Sequence, residues 1–132
     1  MSPKISKELV THRIEQAKNE LCDAKLLYHN KSYLSANNRA YYSIFHAIRA
    51  VLALEPIDFK KHKDVLAYFN KKYVNTEIFP RTMGKRITQA NRIREDSDYD
   101  DEYVAKPEAT IAQIETAEEL IILVEEYIKK SK

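Results

Sequence analysis

Residues 32–55 read SYLSANNRAYYSIFHAIRAVLALE, and this stretch decides the fold. With about 100° of rotation per residue in an α-helix, its bulky apolar side chains share one side: Tyr41, Ile44, Phe45, Ile48, Val51 and Leu52. The opposite side combines small residues with a basic pair, with Tyr42 at its margin: Arg39, Ser43, His46, Ala50 and Ala53. The sequence therefore predicts a central helix that packs on both sides and is stopped by Pro56.

Amphipathic segments surround this helix on both sides in the sequence. Apolar residues recur at helical spacing over residues 10–28, 65–74, 83–93 and 111–128. Ser6 is placed to cap the first segment, and Pro80 and Pro107 suit the first positions of the fourth and fifth helices. The Asn75–Glu77 run is typical of a turn. We predict an all-α, five-helix antiparallel up-and-down bundle.

Composition supports one such domain over residues 1–132. The chain has 132 residues, of which 44% are hydrophobic and 32% charged, as in globular proteins. A single glycine makes β-hairpin folds and Gly-rich phosphate loops improbable. Cys22 is the only cysteine, so a disulfide within the chain is impossible, and we expect Cys22 to pack in the interior. Without a signal peptide or a long apolar run, we expect a cytoplasmic protein with no membrane contact.

The charge is unevenly distributed along the chain. Residues 60–94 carry ten Lys and Arg against two carboxylates, whereas residues 95–108 carry seven carboxylates against one lysine. One interpretation is a set of solvated helix faces followed by an acidic loop. The other is a basic surface for a polyanion, shaped by the acidic segment beside it.

Several segments together resemble the HEPN domain family, small prokaryotic helical bundles often encoded beside a minimal nucleotidyltransferase. The resemblance rests on NNRAYYSIFHA (residues 37–47), on His62 and Val65, on FNKKYVNTEIF ending at Phe79, and on Arg94 with Asp98-Tyr99-Asp100. It implies a bundle that forms homodimers. Several branches of the family are metal-independent ribonucleases that act as toxins, with the nucleotidyltransferase as antitoxin.

The active-site signature of those ribonucleases is an arginine followed, after four to six residues, by a histidine on the fourth helix. Here Arg92 and Arg94 lie on that helix, but no histidine follows His62. Arg39 and His46 match the spacing on the second helix, and two turns of helix place them on one face. RNA cleavage by its own 2′-hydroxyl needs a base near neutral pKa and a cation on the phosphate. They are the candidate catalytic pair; the alternative is that both bond neighbouring carboxylates or carbonyls.

Other polar side chains are candidates for binding nucleotide or RNA: Asn38, Tyr42, Lys85, Arg86, Arg92, Arg94, Asp98 and Tyr99. For the last four, an ion pair that ends the fourth helix is the alternative. His12, His29 and His62 have no metal-ligand spacing, so we expect exposed or capping histidines. The sequence implies neither a metal nor a cofactor.

Three functions are compatible with these observations. The first is a nucleotide- or nucleic-acid-binding module, homodimeric, that partners a minimal nucleotidyltransferase in a toxin–antitoxin or defence system. The second is a metal-independent toxin ribonuclease that uses Arg39 and His46. The third is a helical scaffold without ligand or reaction. We favour the binding module because the fourth helix lacks a histidine.

Overall fold

Five α-helices account for most of the structure, a computed structural model that describes residues 3–55 and 57–131, with side chains described from Lys7 onward. The helices are α1 (Pro3–His29), α2 (Tyr33–Leu52), α3 (His62–Phe69), α4 (Arg81–Tyr99) and α5 (Pro107–Lys130). A π-helical turn, Asn70–Val74, continues α3. The described residues contain no strand. The predicted all-α bundle is confirmed.

Helices α1 and α2 pack antiparallel along their length. The Ser43 hydroxyl donates to the Ala17 carbonyl at 2.7 Å. Nearer the other end of α2, an arginine of α1 (Arg13) donates to the Arg49 carbonyl at 2.8 Å. The backbones approach closely because the residues between the helices are small and fully buried: Ala17, Ala24, Ala36, Ala40, Ala47 and Ala50. Packing on both sides of α2 follows from this small-residue face.

Helix α5 packs against both α2 and α1 and is antiparallel to α1. Lys18 pairs with Glu125 at 2.9 Å and Lys25 pairs with Glu118 at 2.6 Å. Residues later in α1 therefore meet residues earlier in α5, as in an antiparallel pair of helices. One core cluster contains buried residues of every helix and of the π-helical turn. No described helix is both long and apolar enough to cross a bilayer.

The boundaries differ from the predicted ones by a few residues. Helix α1 begins at Pro3, so Ser6 lies within the helix instead of capping it. Pro80 occupies the cap position of α4 and not its first helical residue, whereas Pro107 opens α5 as predicted. The turn at 75–77 is confirmed, with Glu77 at φ 63°. Pro56, the predicted stop of α2, lies outside the described residues.

The prediction that Cys22 packs in the interior is wrong, because its side chain is exposed. The apolar stripe of α1 passes through Leu21 and Ala24, and Ala24 is fully buried. One residue along a helix is a rotation of about 100°, which turns position 22 from the core toward solvent.

The segment after α2 is held against α3 and the π-helical turn by one carboxylate. Glu55 accepts hydrogen bonds from the Tyr68 hydroxyl at 2.8 Å and from the Tyr73 hydroxyl, and it forms an ion pair with Lys72. Burial alone would raise the pKa of Glu55, but these three donors outweigh it and the pKa is lowered. Glu55 thus ties the end of this segment to the last turn of α3 and to the π-helical turn.

Candidate functional site

Aromatic and basic side chains from four helices meet at one end of α2. We call this group the aromatic–basic cluster; its members are Arg13, Tyr41, Tyr42, Phe45, His46, Arg49, His62 and Arg94. Helix α2 supplies five of them within nine residues, and α1, α3 and α4 supply one each. Its α2 residues recur at spacings of three and four, which places them on adjoining helical turns.

His62 lies against the rings of α2. Its imidazole stacks on Phe45 with centroids 4.0 Å apart, and its Nδ1 is 3.3 Å from the Tyr41 hydroxyl. The expectation of an exposed or capping histidine is wrong at this position, whereas His12 and His29 are exposed as expected. The difference arises because His62 opens α3 at the point where the anchored segment returns to α2.

His46 is half-buried and contacts Tyr42 and Phe45, with ring centroids 6.4 and 5.9 Å away. Its buried Nδ1 has no hydrogen-bond partner among the described residues. Burial, followed by the nearby Arg49 and Arg13, lowers the pKa of His46. Burial and then Arg94 and Arg49 lower that of His62. Both imidazoles are therefore neutral at pH 7 and able to accept a proton.

Two arginines concentrate positive charge beside His46. Arg13 is 7% exposed, and burial followed by Arg49 lowers its pKa. Arg49 lies 5.8 Å from the Phe45 centroid and bonds Asp58 at 3.3 Å. Asp58 is mostly exposed, so it neutralises the two guanidiniums weakly. An anion placed beside them would relieve their mutual repulsion.

Arg94 closes the opposite side of the cluster. Its guanidinium lies 4.7 Å from the Tyr41 ring centroid and pairs with Asp98 at 3.2 Å. This ion pair is the structural alternative to ligand binding that the sequence allows for Arg94 and Asp98. Arg94 nevertheless faces the cluster through its contact with the Tyr41 ring. Burial raises the pKa of the Tyr41 hydroxyl to about 12. Its Nε is buried without a partner among the described residues.

Arg39 and His46 both lie close to the Tyr42 ring. The Arg39 guanidinium carbon is 5.4 Å from the ring centroid, and its Nη1 pairs with Glu20 at 2.9 Å. The carboxylate partner agrees with the structural alternative for Arg39. The arginines that lower the pKa of His46 are Arg49 and Arg13, and not Arg39. Catalysis by Arg39 and His46 stays a prediction.

The remaining predicted binding residues fall into separate places. Asn38 has a buried Oδ1 with no partner in the described part of the chain. Tyr99 is 85% exposed. Arg86 turns toward α5, where it bonds Thr116 at 3.1 Å and pairs with Glu119. Lys85 and Arg92 line a groove between α4 and the π-helical turn. The structure thus joins Tyr42, His46 and Arg94 with Asp98, and leaves Arg86 and Tyr99 outside.

Five members of the cluster were absent from the predicted site: Arg13, Tyr41, Phe45, Arg49 and His62. Phe45 was assigned to the core, which is correct for burial but overlooks its contacts with both histidines. Arg49 follows Phe45 by one turn, and that spacing was a usable signal. Arg13 and His62 come from other helices, so nothing in the α2 pattern indicates them.

The cluster combines three kinds of chemistry. The Tyr42 ring is partly exposed, and it and the arginine guanidinium planes can stack a base. Arginine forks bind phosphate oxygens, and a neutral imidazole can take or return a proton. Among the described residues, no three His, Cys, Asp or Glu side chains group as potential metal ligands.

A family model and several related proteins match this chain over most of its length. The model of the family described as "HEPN domain" matches residues 10–127. A Thermotoga maritima protein named "UPF0332 protein" is 31% identical over 95% of both chains. The Methanocaldococcus jannaschii protein named "Putative toxin MJ0605" is 35% identical over 78% of this chain and 77% of its own length. A second protein of that organism, "Putative toxin MJ0142", is 34% identical over 66% of this chain and 59% of its own. With nearly its whole length matched, this chain belongs to the HEPN domain family.

Proposed function

We propose that this chain is a toxin-type HEPN module that binds nucleotide or RNA at the aromatic–basic cluster. The observation that carries the proposal is the grouping of two imidazoles and three arginines around aromatic rings, with His62 stacked on Phe45. The carboxylates bonded to these arginines are exposed Asp58 and partly exposed Asp98, which leaves the cluster positive. Two relatives that carry toxin names support the toxin assignment.

Tyr42 is the side chain best placed to stack a base. It is partly exposed, and of the three tyrosine and phenylalanine rings in the cluster it is the only one that is not buried. Arg39 lies over its ring, and the ring meets His62 edge-on at 5.8 Å. Base–aromatic stacking contributes about 1–3 kcal/mol per base. A base on Tyr42 would leave its phosphate free to meet the arginines on either side.

Fluorescence anisotropy with a labelled single-stranded RNA tests this proposal. We expect Tyr42→Ala to weaken binding about tenfold or more, from the loss of one stacked base, and Tyr42→Phe to keep most of the affinity. Tyr99→Ala is the matched control, because that tyrosine is exposed and lies outside the cluster. Absence of RNA binding, or equal effects of Tyr42→Ala and Tyr99→Ala, would contradict it.

A ribonuclease is the second candidate, favoured by His46. The lowered pKa of this half-buried imidazole favours its neutral form, which can take the proton of a 2′-hydroxyl as a general base. Under this hypothesis, expression of the chain arrests growth and the purified protein cleaves RNA, and His46→Ala abolishes both. His29→Ala is the control, since His29 is exposed at the end of α1. RNA binding without RNA cleavage would support the binding module and contradict the ribonuclease hypothesis.

Partnership is the last part of the proposal. We propose a homodimer that pairs with a minimal nucleotidyltransferase, as membership of the HEPN family suggests. Exposed apolar side chains offer contact surface; the most exposed aliphatic ones are Val104, Leu26 and Ile122. Light scattering coupled to size-exclusion chromatography should give about twice the 15.5 kDa chain mass. A monomer at all concentrations would contradict the homodimer.

A further inference from the structure

A groove lies between α4 and the α3–π-helical segment. Its wider part, about 410 Å³, is lined by Asn70, Asn75, Gly84, Lys85, Thr88 and Arg92, among others. Its narrower part, about 200 Å³, shares Asn70, Val74, Gly84 and Thr88 with the wider part and extends to Leu66 and Asn91. The four shared residues make the two parts one continuous groove.

The groove leads to the aromatic–basic cluster on both walls. On the first wall, Leu66 follows His62 by one helical turn, and His62 is a cluster member. On the second wall, the Oδ1 of Asn91 accepts a hydrogen bond from Arg94 at 3.3 Å. His62 and Arg94 both lie against Tyr41, so they lie at the same end of the groove.

The groove walls carry positive charge and amides but no carboxylate. Neither part of the groove is lined by an aspartate or glutamate. The salt bridges of α4 use Arg81, Arg86 and Arg94. Within the described ranges, Lys85 and Arg92 form no salt bridge, so both cations are available to a ligand. Amide side chains beside them, Asn70, Asn75 and Gln89, can donate to phosphate oxygens or bases.

We propose that a single-stranded RNA bound at the aromatic–basic cluster continues into this groove, with its phosphates on Lys85 and Arg92. The inference rests on the proposed function and names its substrate as an oligonucleotide instead of a mononucleotide. From Arg81 to Arg94 the helix extends about 20 Å at 1.5 Å per residue, which is longer than one nucleotide. The phosphate backbone is recognised by charge, so the groove contributes affinity without sequence preference.

Two RNA lengths separate this inference from the proposed function. The affinity of a dinucleotide and that of an octanucleotide are measured for the wild type and for the double variant Lys85→Gln/Arg92→Gln. We expect the octanucleotide to bind the wild type more tightly, and the double variant to lose about tenfold of that affinity while its dinucleotide affinity is unchanged. Loss of two phosphate contacts should also lower the salt slope of log K by about 1.4 for a single strand.

The control removes two cations elsewhere: Lys129→Gln/Lys130→Gln changes the net charge equally in the last turn of α5. Equal losses in both double variants would overturn the inference, because the effect would then be one of net charge. Equal affinity of the wild type for both RNA lengths would also overturn it, and so would polyglutamate competing as well as RNA. If neither RNA binds, the proposed function itself has failed.

Discussion

His46 and His62 couple the cluster to pH because burial and neighbouring arginines disfavour their charged forms. In the unfolded chain both regain a pKa near 6.5, so below that pH the unfolded state binds more protons than the folded state. The stability they contribute is complete above about pH 6.5 and is lost as the pH falls below it. We therefore expect the free energy of unfolding in urea to fall from pH 7.5 to 5.5.

The double variant His46→Gln/His62→Gln should flatten that pH dependence. The lowered pKa of Glu55 acts below pH 4.5 and so lies outside this range. Urea midpoints of the wild type and the double variant, measured at both pH values, make the comparison. An equal decline in both proteins would show that these histidines are not the titrating groups.

For a single residue, the sequence predicts which face of its own helix it occupies but not which residues of other helices it contacts. Periodicity predicted that Tyr41 would be buried and that His46 would face away from the apolar side. It could not predict that His62 stacks on Phe45, because that contact depends on the path of residues 53–61. Glu55 fixes the path through hydrogen bonds to Tyr68 and Tyr73, which are tertiary contacts.

Among the elements, α4 depends on its single glycine to approach the π-helical turn. A Cβ at Gly84 would lie 2.6 Å from Val74 Cγ1, so that the Val74 side chain or the backbone beside it would have to shift. Alanine favours helices over glycine by about 1 kcal/mol, but overpacking costs about 1–3 kcal/mol. We expect Gly84→Ala to lower the free energy of unfolding by about 1 kcal/mol.

A double-mutant cycle with Val74→Ala isolates this contact. In the Val74→Ala background, Gly84→Ala should become neutral or stabilising, since the clashing methyl group is gone. The measurement is chemical denaturation of the four proteins. A Gly84→Ala effect of the same size in both backgrounds would mean that the close approach does not determine stability.

The helices themselves were predicted well because each has an apolar stripe of sufficient length, and α5 with its opening proline is the clearest case. Their ends were predicted less well. The first helix starts before the predicted serine cap, and the third changes into a π-helical turn at Asn70. A π-helical turn shifts register through packing, here against Gly84, and apolar spacing does not reveal it.

Across the whole molecule, one core cluster joins buried residues of all five helices. We therefore propose that residues 1–132 unfold as a single domain. Thermal or urea unfolding should give coincident transitions by far-UV and near-UV circular dichroism, the latter reported by nine tyrosines. Two separated transitions would divide the chain into more than one cooperative unit.

Binding of RNA at the aromatic–basic cluster is tested most directly by the four histidines of the chain, observed by NMR during titration with a short single-stranded RNA. We expect the imidazole resonances of His46 and His62 to shift together. His29, about 25 Å along α1 from the position of Arg13, should stay unchanged and serves as the internal control. Shifts confined to His29, or unchanged His46 and His62 at saturating RNA, would contradict the account.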